Sequence, residues 1–205
     1  MPHIYLFYPF DDGTADSTLD GLVPGIGQDP SHYQSPKYGQ IYRVDMASKV
    51  TIGPGGLWNA NDQDEIYVVG HSASGLKIIG DANKQHYDQS WLLERLAACG
   101  LQPTNNPKIV LYCCESGKGM GCLAEKLANA MKTGLVLDGS RRPFASFNKV
   151  WGFTRKVSVK AMAPWKGAPK ELCVLDSEDK QTGKKNWAGL NALMQDVCVR
   201  CAPTI

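Results

Sequence analysis

Two residues in this chain capable of joint chemistry each follow a short apolar run. His71 follows EIYVVG at 65–70, and Cys114 follows KIVLYC at 108–113. A thiol attacks well only as a thiolate. A neighbouring imidazole can take its proton and later return it to a leaving group. The pair therefore defines nucleophilic catalysis by sulfur, provided the fold brings the two run ends together. Cys113 has a different reading. It shares a strand face with Ile109 and Leu111 and belongs to the core.

Two other groups also carry chemically capable residues. GHSAS at 70–74 nearly matches the Gly-x-Ser-x-Gly elbow of serine hydrolases, with Ser72 as nucleophile. Ser74 stands where the elbow needs Gly, and the only later histidine is His86. Cys198 and Cys201 form a lone CVRC pair, which lacks the second half of a zinc site. No metal and no cofactor is expected.

The elements that must position His71 and Cys114 follow from periodicity. EIYVVG and KIVLYC are β-branched and aromatic runs, hence strands. Between them, Asp88 can cap a helix over about 89–99 that stops at Gly100. Trp91, Leu92, Leu96 and Ala97 share its inner side, so Trp91 packs rather than binds. A second helix is expected over about 119–132, with Met120, Leu123, Ala124, Leu127 and Met131 on one stripe and Gly134 as its end. LVLD at 135–138 then reads as a third strand. Strand, helix, strand, helix, strand with short joins implies a parallel, doubly wound sheet. In such a sheet the carboxyl ends share one edge, where sites collect. The turn ESGKG after Cys114 would feed the second helix, whose amino-terminal amides would favour the thiolate.

The remainder is less regular. Ile4 to Tyr8 reads as a buried strand, and 11–39 as a long loop rich in Asp, Gly, Pro and Ser. Residues 40–45 read as a short strand and 53–56 as a turn. Residues 149–160 read as one or two strands, and 187–199 as a final helix.

Composition bounds the class. The chain has 205 residues, 43% of them hydrophobic, enough for one domain with a sizeable core. No apolar run approaches a membrane span. The amino terminus lacks a signal-peptide pattern, and seven cysteines without one imply a reducing compartment. The expected location is cytoplasmic, or exported by a route that uses no such signal. Residues 141–205 carry 12 Lys and Arg against 5 Asp and Glu, a basic part able to meet an anionic partner. No nucleic-acid motif accompanies these charges.

EIYVVGHSASG (65–75) and KIVLYCCESGKG (108–119) together resemble the caspase-like (clan CD) cysteine peptidases. That group includes caspases, legumain, gingipains, clostripain and the self-cleaving domains of bacterial toxins. Its pattern is an apolar strand ending in Gly-His, then a later apolar strand ending in the nucleophilic Cys. Bacterial members often continue with a polar residue, Ser or Thr, and Gly. Cys114-Glu115-Ser116-Gly117 matches, which selects Cys114 over Cys113. The helix GCLAEKLANAM also looks like that of family members. The likeness covers about 60–140.

The resemblance implies a single α/β domain over 1–205, a caspase-like three-layer sandwich with a mostly parallel six-stranded sheet between helices. It implies a Cys114–His71 dyad hydrolysing peptide bonds in a protein or peptide substrate. The oxyanion hole would be the backbone amides of Cys114 and of Ser72, where the family usually has Gly. Asp138, at the end of the next strand, would sit in the substrate pocket and prefer Arg or Lys. The toxin relatives bind inositol hexakisphosphate through basic residues, so the basic part at 141–205 would bind an anionic activator. An exported bacterial effector or toxin, or a self-processing protease cut in the 11–39 loop, fits this pattern. The alternatives are a caspase-like binding module without activity and the Ser72 hydrolase.

Overall fold

The structure, a computed structural model, describes residues 2–10, 41–45, 51–52, 56–72, 76–81, 84–161, 170–178, 180–189 and 198–203. The expected loop at 11–39 lies outside them, as does most of the expected turn at 53–56.

In chain order the strands are β1 (Ile4–Tyr8), β2 (Ile41–Asp45), β3 (Thr51–Ile52), β4 (Glu65–Val69), β5 (Ile79–Gly80) and β6 (His86–Tyr87). Helix α1 (Gln89–Ala98), β7 (Lys108–Tyr112) and α2 (Leu123–Thr133) follow. The chain continues through β8 (Leu135–Leu137), β9 (Ser140–Arg142), β10 (Val150–Phe153), β11 (Val157–Ala161), β12 (Lys170–Glu178), β13 (Lys185–Gly189) and β14 (Cys198–Arg200).

The main sheet runs β14-β10-β7-β4-β1-β2-β3. Its five inner strands are parallel, and β14 and β3 close the two edges antiparallel. The domain is therefore mixed α/β with a mostly parallel sheet, as expected, with seven strands rather than six.

The chain steps from β4 to β7 through α1, and from β7 towards β10 through α2. Two crossovers of one hand that step the same way put their helices on the same face. The packing agrees. Leu92, Leu93 and Leu96 of α1 and Leu123, Leu127 and Met131 of α2 join one core with Tyr5, Phe7, Ile66, Val68, Ile109 and Leu111. The opposite face carries Leu6, Tyr8, Tyr67, Val69, Val110 and Tyr112, also buried. Burial on both faces is why these strands read as continuous apolar runs. Among the described residues both α-helices lie on one face, so the expected sandwich between helices is seen only as two layers.

Helix α1 matches its sequence signals. Asp88 accepts from the Ser90 and Trp91 amides at 3.0 and 2.9 Å, and Gly100 follows with φ +101°. Trp91 stacks on Tyr87 at 3.9 Å between ring centres, with the Arg95 guanidinium 5.0 Å over its ring. It packs, as read.

Two expectations need correction. LVL is a strand, but it leaves the main sheet. It pairs antiparallel with β9 as a separate hairpin, and β10 takes the expected place beside β7. The local chemistry explains this. Asp138 and Gly139 both have positive φ, +51° and +76°, the two-residue turn that folds a strand back on itself. The expected helix at 187–199 is not formed at its ends, since β13 extends through Gly189 and β14 starts at Cys198. As read, 149–160 holds two strands; β10 lies in the main sheet and β11 in the sheet β11-β12-β13.

Candidate active site

Strands β4 and β7 pair in parallel from Glu65↔Lys108 to Val69↔Tyr112. Gly70-His71 and Cys113-Cys114 each continue two residues past the last pair. His71 and Cys114 thus leave the same edge from adjacent strands, which lie about 4.8 Å apart in a sheet.

His71 is exposed and is fixed by its backbone. Its amide donates to the Gly80 carbonyl and the Gly80 amide donates back, both at 2.8 Å. Gly70 permits this. A Cβ there would sit 2.6 Å from Ile79 Cγ1, so the strand pair closes only over a glycine.

Cys114 is half-buried, and the turn after it is tied to β10. The Ser116 hydroxyl donates to the Leu111 carbonyl at 2.8 Å and accepts from the Phe153 amide at 3.0 Å. The Gly117 amide donates to the Phe153 carbonyl at 2.9 Å. Gly117 and Gly152 touch backbone to backbone, so that a Cβ on either would lie 2.5–2.6 Å from the other's main chain. These contacts give Cys-Glu-Ser-Gly a physical meaning: Ser116 satisfies buried backbone groups, and Gly117 admits β10. Glu115 adopts φ +56°, its amide donates to the Arg155 carbonyl, and its carboxylate pairs with Lys118.

The electrostatics of Cys114 differ from expectation. Its thiol donates to the Val157 carbonyl and accepts from the Val157 amide, each at 3.4 Å. Burial is the main reason its thiol is pushed up from the ordinary value; Val157 and Lys156 oppose the shift and Glu115 adds to it. Helix α2 gives no help. It starts at Leu123 with Cys122 as N-cap, four residues later than read. The polar turn 115–121 is held to β10 instead of winding into the helix, and Met120, expected on the inner stripe, is 94% exposed. The residue that meets the helix amides is Cys122.

Among the described residues, the amides of Ser72 and Cys114 make no backbone hydrogen bond. The Cys114 amide is turned to its own sulfur, which opposes the upward shift of the thiol. The Ser72 hydroxyl is buried without a partner. Among the described residues no helix begins between Ser72 and Gln89. An elbow serine needs an exposed hydroxyl, and the buried Ser72 hydroxyl does not match that requirement.

Other candidates are placed apart from the edge. Asp138 is on the hairpin turn, 88% exposed and 3.9 Å from Arg142. That hairpin hangs from the amino side of the sheet, where Ala145 bonds to Pro103 ahead of β7 and Phe144 to the last turn of α2. Its strand has left the main sheet, so Asp138 does not lie at the edge that His71 and Cys114 share. Asp64 and Glu65, on the run leading to His71, also lie at the amino edge. Asp64 accepts from the His3 and Asn61 amides, and Glu65 pairs with Lys108 at 3.3 Å. Cys113 is fully buried, and burial pushes its thiol up to about 12, in keeping with a core role.

One feature escaped the sequence reading. The Cys122 and Cys201 sulfurs lie 3.6 Å apart. Nothing in a spacing of 79 residues announces the pair. Among the described residues no group of three or more His, Cys, Asp or Glu could hold a metal ion, and no helix is long and apolar enough to cross a membrane.

The fold defines a mixed α/β domain with a mostly parallel sheet, and the candidate site lies at the carboxyl edge of that sheet. Residues 57–137 match the model of a family described as a domain of unknown function, DUF8616. That span begins before β4 and ends with β8, so it takes in His71, Cys114 and both helices. No curated protein and no solved structure matches the chain.

Proposed function

We propose that the chain is a cysteine peptidase of caspase-like architecture, with Cys114 as nucleophile and His71 as general base. The observation that carries this reading is the matched exit of His71 and Cys114 from neighbouring parallel strands at one sheet edge. The Cys114 sulfur attacks the scissile carbonyl of a peptide. His71 takes the thiol proton and delivers it to the departing amine. The amides of Ser72 and Cys114 receive the oxyanion. Water then attacks the thioester, with His71 accepting its proton, and releases the acid product.

The thiol bonded to Val157 is the resting form. Its proton leaves when the substrate displaces that contact and the imidazole draws near, since catalytic contacts tighten on binding. One basic side chain of the carboxyl-terminal part acts on the Cys114 charge, that of Lys156. An anionic activator bound there, and an exported effector or self-processing role, belong to the same proposal.

A second reading has one observation in its favour. A thiol kept protonated and tied to backbone suits a caspase-like binding module without activity. Incubation with unfolded casein separates the two. The peptidase reading expects new peptides from wild type and from Cys122→Ala, and none from Cys114→Ala or His71→Ala. Peptides produced equally by the Cys114→Ala protein would sink the assignment. No peptides from any form, with or without a polyphosphate, would favour the binding module.

A further inference from the structure

Cys122 and Cys201 come from opposite ends of the site's framework. Cys122 is the N-cap of α2, where the turn from Cys114 ends. Cys201 directly follows the edge strand β14, and its amide donates to the Val150 carbonyl of β10 at 2.9 Å. Their sulfurs are 3.6 Å apart and share a hydrogen bond, and the Cys201 sulfur also lies 3.8 Å from the Val199 carbonyl.

The two thiols are chemically unequal. The Cys122 thiol is lowered to about 6. The hydrogen bond from Cys201 is the largest cause, and the Glu125 and Ala124 amides of the first helical turn assist; burial and the Glu125 charge oppose. The Cys122 sulfur is therefore the more nucleophilic of the two, and the Cys201 sulfur lies within contact of it. The flanking residues Met120 and Ala202 are exposed, so the pair is near the surface, although each cysteine is itself under 9% exposed. That access suits a small oxidant better than a bulky disulfide.

We infer that Cys122 and Cys201 are a hydroperoxide-sensitive dithiol that closes to an intramolecular disulfide. The Cys122 thiolate attacks the distal oxygen of a hydroperoxide. The O–O bond breaks, an alkoxide or hydroxide leaves and takes up a proton, and Cys122 becomes a sulfenic acid. The Cys201 sulfur then attacks the Cys122 sulfur, the S–O bond breaks, and water leaves with the Cys201 proton. Two thiols and one peroxide give one disulfide, one alcohol or water, and one water. The sulfurs must close from 3.6 Å to about 2.05 Å, a movement side-chain torsions can supply. The bond ties the first turn of α2 to the chain beyond β14 and is independent of any peptidase activity.

The full chain is reduced, freed of reductant and given limiting hydrogen peroxide near neutral pH. Remaining thiols are then blocked with N-ethylmaleimide before intact mass and peptide mapping. The expected product has lost two hydrogens, carries one Cys122–Cys201 linked peptide, and reverts with dithiothreitol. In Cys201→Ser the link is absent and a dimedone adduct gathers on Cys122. A link joining other cysteines, or Cys122 oxidised no faster than Cys99, overturns the inference. Wild-type mapping decides the matter even if a variant folds poorly.

Discussion

His71 and Cys114 occupy matching positions on adjacent parallel strands, each two residues beyond the Val69↔Tyr112 pair. Register alone sets this. Both strands begin at the amino edge as the Glu65–Lys108 ion pair and run five residues before either chain departs.

That relationship separates two neighbouring cysteines. Cys114→Ala is expected to abolish peptide cleavage with little change in the melt. Cys113→Ala, in a fully buried site, should cost about 1 kcal/mol, the scale of losing one core heavy atom, and leave cleavage intact. Urea titrations and a casein assay on the two variants check it. Equal loss of activity with unchanged stability in both would contradict the choice of Cys114.

Thiol reactivity should divide by pH. Cys122, lowered to about 6, is expected to alkylate with iodoacetamide at a nearly constant rate above about pH 7 and about tenfold more slowly per unit below 6. Cys114, raised by burial, should speed up with pH throughout that range. The linkage sign follows. A thiol with a depressed folded pKa stabilises the fold fully above its ordinary value of 9.0, and loses that contribution as pH falls through about 6. Rates read by peptide mass spectrometry at several pH values test this. A Cys114 rate that levels off near pH 6 would show that an imidazole already activates it.

The turn after Cys114 should tolerate little. Ser116→Ala leaves the buried Phe153 amide without its hydroxyl partner, at about 1–3 kcal/mol, while the Leu111 carbonyl keeps the Cys113 amide. Gly152→Ala drives a methyl into the Gly117 main chain and should cost at least as much. Both are read as shifts in the urea midpoint. A neutral result for Gly152→Ala would mean that β10 and the turn do not touch.

Two changes away from the site serve as contrasts. Asp88→Ala removes the α1 cap, at about 1 kcal/mol, without altering cleavage. Asp138→Ala, on an exposed hairpin turn, should leave residue preference at the cleavage point unchanged. A lost preference for Arg or Lys in that variant would return Asp138 to the pocket.

The parts legible in the sequence are those set by local chemistry. EIYVV and KIVLY declare themselves by β-branching, and Asp88 and Gly100 bracket α1 with a cap and a left-handed stop. The edge shared by His71 and Cys114 follows from two parallel strands. The late start of α2 was hidden, because Ser116 and Gly117 take partners from β10, some 37 residues on. The hairpin at 135–142 was legible in principle: Asp138-Gly139 is the pair that a two-residue turn requires. The run LVL suggested a core strand, yet Val136 is 60% exposed. The Val157 contact and the Cys122–Cys201 approach depend on tertiary folding across long sequence gaps, which no local pattern encodes.

The bonds from Ser116 and Gly117 to Phe153 have a consequence for time as well as place. The two amides involved, those of Gly117 and Phe153, are held inside the sheet layer. Deuterium should reach them only when the turn and β10 part. The platform under Cys114 is then stationary on the scale of an encounter with another molecule. Any gating of the sulfur falls to the Val157 side, where a single residue at the start of β11 must withdraw.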